Sequence, residues 1–289
     1  MKKSFLLLHI SVFLASITGI FGKLISLNEV LITFYRMLLA GILFIIISVF
    51  IDKTEKKYTI LEYLKIANVG FLLGLHWIFF YGSIKYSNIS VGVVCFCLAG
   101  FFTAIIEPFI NNKKHSIIEI LLSCLTLVGI ALIFSFDTKY RLGIILGVIS
   151  SLFVAIYTIL NEGLVKKYET KELTKVEMLG GTIGIVILLP ILLKFYSIGT
   201  FIPTIKDLIY LLILSGICTV LLYWILNIAM KKISAFTVNL SFNLEPIYSI
   251  IIAVLFFNEY KELNLSFFIG LSLIILSLIL QMFRIFKIK

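Results

Sequence analysis

Long apolar segments separated by short polar connections run along the whole chain. A helix of roughly 20 mostly apolar residues is long enough to cross the hydrocarbon core of a bilayer. Ten segments have this character: Ser4–Gly22, Val30–Ile51, Ile66–Ile84, Val91–Phe109, Ile117–Phe136, Leu142–Leu160, Val176–Leu193, Leu208–Met230, Ala235–Phe257 and Leu265–Phe283. The longest polar connections, Asp52–Lys65 and Lys166–Lys175, leave no room for a soluble domain. The pattern therefore predicts an all-α integral membrane protein with ten transmembrane helices, whose function resides among those helices.

The composition agrees with a membrane protein. Hydrophobic residues make up 61% of the chain and charged residues 14%, with a mean hydropathy of +1.14. A soluble domain is near half apolar and about a quarter charged. The first segment, which follows Lys2 and Lys3, resembles a signal peptide. We expect it to remain as an uncleaved span, because its removal would disrupt the repeat described below.

No motif for a cofactor stands out. The sequence has no GxGxxG, P-loop or HExxH pattern, so neither a nucleotide nor a metal cofactor is predicted. The cysteines all fall inside predicted spans: Cys95, Cys97, Cys124 and Cys218. Small, soft packing residues are the favoured interpretation of these cysteines, over a metal site or a disulfide.

The distribution of positive charge predicts the orientation of the chain. Its net charge is +10. With the N-terminus inside the cell, the outer connections hold few basic residues: Lys23, Lys85, Lys139, Arg141, Lys194, Lys206 and Lys261. Most of the others fall in the inner connections, and cytoplasmic loops carry such an excess. The prediction is a multi-pass protein of the cytoplasmic membrane with both termini cytoplasmic. Because no basic domain is present, nucleic-acid binding is not expected.

The two halves of the chain resemble each other. With a shift of 147 residues, Trp77 aligns with Trp224. Earlier in each half the shift is nearer 141, and it aligns Arg36 with Glu177. These identities, together with ten spans, predict two repeats of five helices.

Five is an odd number, so the second repeat is expected to cross the membrane in the opposite orientation to the first. The expected repeats are residues 1–137 and 138–289. The charges agree, since the first connection of the first half has one lysine and its counterpart, Lys166–Lys175, has four. Inverted repeats are typical of secondary transporters, in which two related bundles move about a site at their interface.

Four stretches carry a resemblance to a known family. They are TFYRMLLAG (Thr33–Gly41), YSNISVGVV (Tyr86–Val94), FTAIIEP (Phe102–Pro108) and the long stretch Tyr223–Glu259. They are similar to the EamA family of the drug/metabolite transporter superfamily. The resemblance implies two inverted five-helix EamA-type repeats. Spans three, four, eight and nine, with parts of one, two, six and seven, are expected around a central cavity, and spans five and ten at the periphery. One position departs from the family pattern. The shift of 147 residues aligns Ala99 of the fourth span with Pro246 of the ninth, so the fourth span has no proline at that position.

Glu245 and Pro246 lie near the middle of the ninth predicted span, where nothing else is charged. A charge at the bilayer centre costs on the order of 2.5–3.5 kcal/mol. A proline inside a helix costs about 3 kcal/mol and leaves a carbonyl, here that of Phe242, without its donor. Interrupted backbone at this depth is tolerated where it lines a water-filled cavity. Glu245 is therefore predicted to face a cavity and Pro246 to bend the helix. The alternative is a Glu paired with a basic side chain to hold helices together.

Further polar and aromatic residues of the third, eighth and ninth spans are predicted to line the same cavity. They are His76, Trp77, Tyr81, Tyr223, Trp224, Asn227 and Asn243. Aromatic rings in a cavity stack on an organic substrate or its cation, and the alternative is an interfacial aromatic belt. His76 titrates near neutral pH, so it is either a proton relay or a hydrogen-bonded packing residue. Asn243 is expected on a different helix face from Glu245.

Two charged residues have two interpretations each. Glu107 lies near the end of the fourth span, before Pro108. It is either an interfacial acid that ends a helix or a residue with a substrate role. Arg36 is the deepest fixed positive charge, and it either holds a substrate carboxylate or neutralises a buried acid such as Glu177 or Glu245. The structural role is favoured for Arg36.

The resemblance and the lack of an ATP-binding motif favour a secondary transporter for small polar metabolites, with amino-acid or related export as the leading expectation. Its partners are a small-molecule substrate and the lipid bilayer, and protonation of Glu245 or His76 is a candidate coupling step. A flippase for a lipid-linked carrier is the alternative, and it needs a lateral groove for a long chain. A membrane transferase is disfavoured, because Asp52, Asp137 and Asp207 are isolated in predicted loops.

Overall fold

The computed structural model describes residues 2–51, 58–112, 114–134, 140–195, 199–257 and 265–287. Within these ranges all regular secondary structure is helical. The elements are α1 (Lys2–Leu24), α2 (Glu29–Ile51), α3 (Ile60–Lys85), α4 (Ile89–Phe96), α5 (Leu98–Ile110), α6 (Ile117–Phe134), α7 (Arg141–Lys167), α8 (Thr170–Phe195), α9 (Ile205–Ser215), a π-helix (Gly216–Leu221), α10 (Leu222–Met230), α11 (Ala235–Ser241), a 3-10 turn (Phe242–Leu244), α12 (Glu245–Phe257) and α13 (Leu265–Lys287).

The all-helical membrane fold predicted from the sequence is confirmed. In the described ranges, nine helical segments are long and apolar enough to cross a membrane. Three of these segments are composite, and they join α4 with α5, α9 with α10, and α11 with α12. α6 is a shorter apolar helix of 18 residues in the place of the fifth predicted span. The predicted end of that span at Phe136 and the predicted repeat boundary between residues 137 and 138 lie outside the described residues.

Two of the helices that begin earlier than the apolar pattern predicted, α3 and α9, start with a capping box. The Thr59 side chain accepts the backbone N–H of Glu62, and the Glu62 carboxylate accepts the N–H of Thr59. Thr204 and Asp207 form the same arrangement at the start of α9. Such reciprocal bonds satisfy donors that a helix start otherwise leaves free. Asp207, expected in a loop, is thus part of the first turn of a helix.

Close helix crossings depend on glycine. α3 packs mainly against α7 and α8, whereas α6 packs mainly against α13. A Cβ added at Gly70 of α3 would collide with the backbone of Glu177, and one added at Gly270 of α13 would collide with the Gly129 carbonyl. Small residues let helix backbones approach closely where lipid offers no hydrophobic driving force. These crossings fix which faces of α3 and α8 turn inward.

Three spans are interrupted in their interior. α4 and α5 are separated at Cys97, α11 and α12 by the 3-10 turn, and α9 and α10 by the π-helix. With the repeat shift of 147 residues, Cys97 aligns with Leu244, the last residue of the 3-10 turn. The fourth and ninth spans therefore break at equivalent positions, although a proline follows directly only in the ninth. Pro246 alone does not explain the interruption.

The 3-10 turn corrects one expectation about the ninth span. The Phe242 carbonyl, predicted to lack a donor because of Pro246, accepts the backbone N–H of Glu245. This bond spans three residues rather than four, as in a 3-10 helix. The chain tightens locally, and α12 then begins at Glu245 with Pro246 in its first turn, where a missing N–H is tolerated.

Candidate functional site

A polar cavity lies between the two halves of the chain. Its volume is about 30 Å³, which is room for a water molecule and less than a metabolite occupies, so the cavity is nearly closed in this conformation. The side chains around it are Ala15, Thr18, Arg36, His76, Trp77, Phe80, Phe96, Leu222, Tyr223, Phe242 and Glu245. They come from α1 to α4 in the first half and from α10, the 3-10 turn and α12 in the second. Both predicted opposite charges, Arg36 and Glu245, therefore face one space.

Arg36 is held by three hydrogen bonds although it is almost completely buried. Its Nη1 donates to the Tyr81 hydroxyl at 2.8 Å, its Nε to Thr219 Oγ1 at 2.8 Å and its Nη2 to the Cys218 carbonyl at 2.8 Å. The guanidinium also lies 3.6 Å from the centroid of the Trp77 ring, where a cation is attracted to the π system. Arg36 is thus fixed in one orientation and connects the two halves.

The π-helix supplies two of the acceptors that hold Arg36. The Cys218 carbonyl accepts from Arg36 Nη2. Thr219 donates its hydroxyl to the Leu214 carbonyl at 2.8 Å and accepts Arg36 Nε. Short π-helical segments are frequent at functional sites. The sequence offers no strong signal for this one.

Glu245 is buried at the first position of α12 and lines the cavity. Within the described residues its carboxylate makes no hydrogen bond or ion pair, although the charge of Arg36 acts on it across the cavity. The N-terminus of a helix favours a negative charge, which helps to hold the carboxylate there. Glu245 is therefore an acceptor that is open to a ligand.

His76 is a cavity residue with one ring nitrogen already occupied. Its Nδ1 lies 2.8 Å from Ser150 Oγ and 3.1 Å from the Ser150 carbonyl. The ring centroid is 5.9 Å from that of Phe80 and 5.4 Å from that of Phe96. These contacts fit a hydrogen-bonded packing residue that borders the cavity.

The structure brings Trp77, Tyr81 and Tyr223 together around Arg36, as the helical spacing suggested. Trp77 and Tyr223 line the cavity and make an edge-to-face contact at 5.4 Å. Tyr81 lies behind them and reaches Arg36 through its hydroxyl. An interfacial belt does not describe these rings, since all three are buried in the bundle.

Three predicted cavity residues lie elsewhere. Trp224 packs against Phe44, with ring centroids 6.4 Å apart. Asn243 is directed away from the cavity, and its amide donates to Thr126 Oγ1 of α6 at 3.5 Å. Asn227 belongs to a separate buried cluster described below. The cavity is lined instead by the sides of α10 and the 3-10 turn that carry Tyr223 and Phe242.

Glu107 is also outside the cavity. It is buried in the last full turn of α5, and its carbonyl accepts the N–H of the helix cap Asn111. Pro108, next to it, lies inside α5 without ending the helix. Glu107 and Glu245 each precede a proline, but the structure gives them different surroundings.

Much of the cavity wall could not be found from the sequence. Phe96 and Phe242 meet edge to face at 5.7 Å across the two interrupted spans, and Thr18 contributes from α1. An apolar side chain in an apolar span carries no sequence signal for a cavity. Within the described residues, no three His, Cys, Asp or Glu side chains come together as metal ligands.

Two sets of contacts join the halves at the ends of the bundle. In the first, the N–H and hydroxyl of Ser26 donate to the Asp207 carboxylate at 2.7 and 2.6 Å. In the second, the Tyr168 hydroxyl donates to Glu62 at 3.1 Å, and Lys167 Nζ lies 3.4 Å from the same carboxylate. We call the first set the opposite-face latch and the second the terminal-face latch, since α1 begins at the latter end.

The two latches are built alike. Each uses the capping-box acid that starts the third or eighth span, Glu62 or Asp207. Each partner lies at or just after the end of the first span of the other half, and the shift of 141 residues aligns Ser26 with Lys167. Equivalent residues thus connect the halves at both ends of the bundle.

A second space is an apolar groove between α3 and α8. It has a volume of about 370 Å³, and it is lined by residues such as Leu64, Phe71, Ile183 and Ile187. It shares no lining residue with the polar cavity. Its wall is suited to lipid chains rather than to a polar solute.

Comparison with known proteins agrees with this architecture. A profile of the EamA-like transporter family matches residues 2–135 and 141–283. An "Uncharacterized transporter" of Clostridium kluyveri is 23% identical over 97% of this chain and 93% of its own. The "Uncharacterized transporter YxxF" of Bacillus subtilis is 23% identical over 71% of this chain and 65% of its own. One solved structure, named only "Crystal structure of protein", covers 96% of both chains with a TM-score of 0.70 and 13% identity, which shows likeness of fold alone.

The family match extends over nearly the whole chain and agrees with the helices long enough to span a membrane. The matched family and the relatives' names indicate a membrane transporter rather than an enzyme. The chain belongs to the EamA-like transporter family of the drug/metabolite transporter superfamily, as the sequence resemblance predicted.

Proposed function

We propose that the protein is a secondary transporter that exports small polar metabolites, amino acids or related compounds, across the cytoplasmic membrane by alternating access. The observation that carries this proposal is the pair of opposite charges, Arg36 and Glu245, in one cavity between the halves. A solute with an ammonium and a carboxylate group complements both charges. A purely apolar solute would leave them desolvated, which is costly.

The geometry of Arg36 supports a role in binding as well as in architecture. A guanidinium has five N–H donors, and three of them are used by Tyr81, Thr219 and Cys218. The donors that remain suit a substrate carboxylate. Glu245, which accepts no hydrogen bond within the described residues, suits the substrate ammonium, and the ring of Trp77 borders the space between them.

The latches support alternating access. A central cavity opens to one side only if contacts between the halves at that side release. The opposite-face latch closes the end that we place outside the cell, and the terminal-face latch closes the cytoplasmic end. In this proposal the two latches break in alternation, so that one of them is always formed. Because the latches are built alike, the outward-open and inward-open states are similar in energy.

Metabolite profiling tests the proposed function. Cells that express the protein and cells with an empty vector are compared by untargeted profiling of medium and cytosol. We expect a zwitterionic metabolite to be enriched in the medium and depleted in the cytosol of the expressing cells. Enrichment in the cytosol would contradict export, and no difference in any polar metabolite would contradict the proposed substrate class.

Weakening one latch should shift the cavity toward the side of that latch. Ser26→Ala removes one bond of the opposite-face latch, and Tyr168→Phe removes one bond of the terminal-face latch. A partly exposed hydrogen bond contributes about 0.5–1.5 kcal/mol, so we expect accessibility to change roughly two- to tenfold. The reporter is Thr18→Cys in a protein without its four native cysteines, labelled from outside intact cells with an impermeant maleimide.

The two variants are controls for each other. Ser26→Ala is expected to speed labelling of the Thr18→Cys reporter, and Tyr168→Phe is expected to slow it. Both leave the capping boxes at Thr59 and Thr204 in place. Changes in the same direction, or no change in either variant, would rule out these contacts as gates.

The apolar groove between α3 and α8 is the observation that favours a lipid-carrier flippase as a second candidate. Such a carrier needs a polar site for its head group that is continuous with a groove for its chain. The groove and the polar cavity share no residue, so we place the flippase second. Turnover of a lipid-linked carrier in vesicles, without export of any soluble metabolite, would reverse this order.

A further inference from the structure

A second buried polar cluster lies between the cavity and the terminal face. Asn161 of α7 donates to the Tyr157 hydroxyl at 3.0 Å and to the Asn227 side-chain oxygen at 2.8 Å. Asn227 of α10 donates in turn to Thr174 Oγ1 at 2.9 Å and to Glu177 Oε2 at 3.5 Å. Both of these acceptors are on α8. The cluster therefore connects three helices through side chains alone.

Two acceptors in this cluster are poorly satisfied. Within the described residues, Glu177 Oε1 and Asn161 Oδ1 are buried without a donor at hydrogen-bond distance, although the Tyr157 hydroxyl interacts with the Glu177 carboxylate. Glu177 is completely buried, and no basic side chain of the described ranges forms an ion pair with it. An ionised carboxylate without a partner in such a place is strongly disfavoured. The described residues of the cluster therefore leave Glu177 without a counter-charge.

The surroundings of Glu177 offer no alternative charge. The titratable groups that face it are the phenols of Tyr157 on α7 and Tyr223 on α10. α3 presents Gly70 to its backbone, and α2 presents Met37 one turn further along α8, at Gly181. None of these groups carries a positive charge, so an ionised Glu177 has no counter-charge among the groups that face it.

The position of the cluster suits a coupling site. Tyr223 lines the cavity, and its ring centroid lies 6.3 Å from that of Tyr157 in the cluster. A single layer of aromatic side chain thus separates the two sites. Glu177 and Arg36 are also repeat equivalents, each seven residues after the first residue of its helix. The repeat places a cation of the chain at one site and an acid at the other.

We propose that Glu177 binds a proton and that this proton is exchanged during the transport cycle. The step is the addition of one proton to a carboxylate oxygen, which turns an unpaired acceptor into an O–H donor. A sodium ion is a poorer fit, because it needs several oxygen ligands and only two unpaired oxygens are present in the described cluster. The coupling role rests on the proposed transport function, whereas the proton site does not.

Infrared difference spectroscopy of the purified full-length protein tests the proton site directly. A protonated carboxyl group has a C=O band that shifts in heavy water and disappears on deprotonation. We expect wild type to show this band at neutral pH. In Glu177→Gln the band should be weaker by the intensity that one carboxyl group contributes. Glu177→Asp, which keeps a carboxyl, is expected to restore it.

The matched control is Glu172→Gln in the same helix. Glu172 is ion-paired with Lys175 at 2.6 Å, so its carboxylate is ionised and its replacement should leave the band unchanged. An unaltered band in Glu177→Gln would overturn the proposal. Loss of the wild-type band on addition of sodium chloride, but not of choline chloride, would overturn the choice of proton over sodium.

The coupling role is tested by the pH dependence of export. The probe is the metabolite that profiling finds in the medium, measured in acidic and alkaline medium. Export by wild type and by Glu172→Gln is expected to change with pH, and export by Glu177→Gln to be independent of it. Unchanged pH dependence in Glu177→Gln would overturn the coupling role. If no metabolite is exported by wild type, the transport proposal fails, and the infrared result still decides the proton site.

Discussion

Arg36→Lys is expected to abolish most transport and to lower the stability of the protein by about 2–5 kcal/mol. The three acceptors of Arg36 lie in different directions around a planar group, and a lysine ammonium on a flexible stem cannot reach all of them. Each buried acceptor left without its donor costs about 1–3 kcal/mol. The stacking on Trp77 is weakened as well. The measurements are the melting temperature of the purified protein in detergent and the export of the profiled metabolite per amount of protein.

The control for this substitution is Arg284→Lys. Arg284 is partly exposed and lies 3.2 Å from Glu119, and such surface ion pairs contribute about 0–1 kcal/mol. We expect its melting temperature and its export to stay close to those of wild type. Wild-type stability in Arg36→Lys would show that the bonds to α3 and the π-helix do not hold the two halves together.

The positions of the helices could be predicted from the sequence, whereas the residues at which they begin and end could be predicted less well. The apolar runs located every described span because lipid requires them. The helices α3 and α8 begin at Ile60 and Thr170, several residues before those runs. A capping box stabilises the first turn of α3, and a hydrogen bond from Asn227 to Thr174 holds the start of α8. The break at Cys97 gave no signal, since Ala99 stands where a proline would have marked it.

The candidate site was predicted in part. Arg36, Glu245, Trp77 and Tyr223 meet at the cavity because a charge or a polar aromatic ring in a span is costly unless it has a partner. Asn243 has the same kind of polarity, but its partner is Thr126 on the peripheral helix α6. Helical periodicity shows which residues share a face, and only the packing of neighbouring helices decides where that face points.

The latches and the proton site show a different limit of prediction from the sequence. The sequence contains Ser26, Asp207 and Glu62 as ordinary polar residues near helix ends, and a capping box accounts for each acid locally. Their second role, as contacts between the halves, arises only when the halves are placed together. In the same way, Glu177 is distinguished by donors that it lacks, which no pattern of residues along a chain reveals.

Glu245→Gln is expected to reduce export of the profiled metabolite by about 10- to 100-fold at an equal amount of protein in the membrane. The substitution keeps the shape of the side chain and removes the charge that we assign to the substrate ammonium. A hydrogen bond to a charged group contributes about 1.5–3 kcal/mol, which corresponds to this range. Because Glu245 makes no hydrogen bond within the described part of the chain, the fold should tolerate the change, and the melting temperature should not fall.

Glu107→Gln is the matched control, because it neutralises the other glutamate that precedes a proline. Glu107 is buried like Glu245 but does not line the cavity, so export should remain within about twofold of wild type, as for a change outside the site. Equal loss of export in both variants would mean that neutralising a buried acid impairs the protein in general. Full export by Glu245→Gln would show that Glu245 does not belong to the binding site. Arg36 would then be the charge that selects the substrate, and the substrate would need a carboxylate group but no ammonium group.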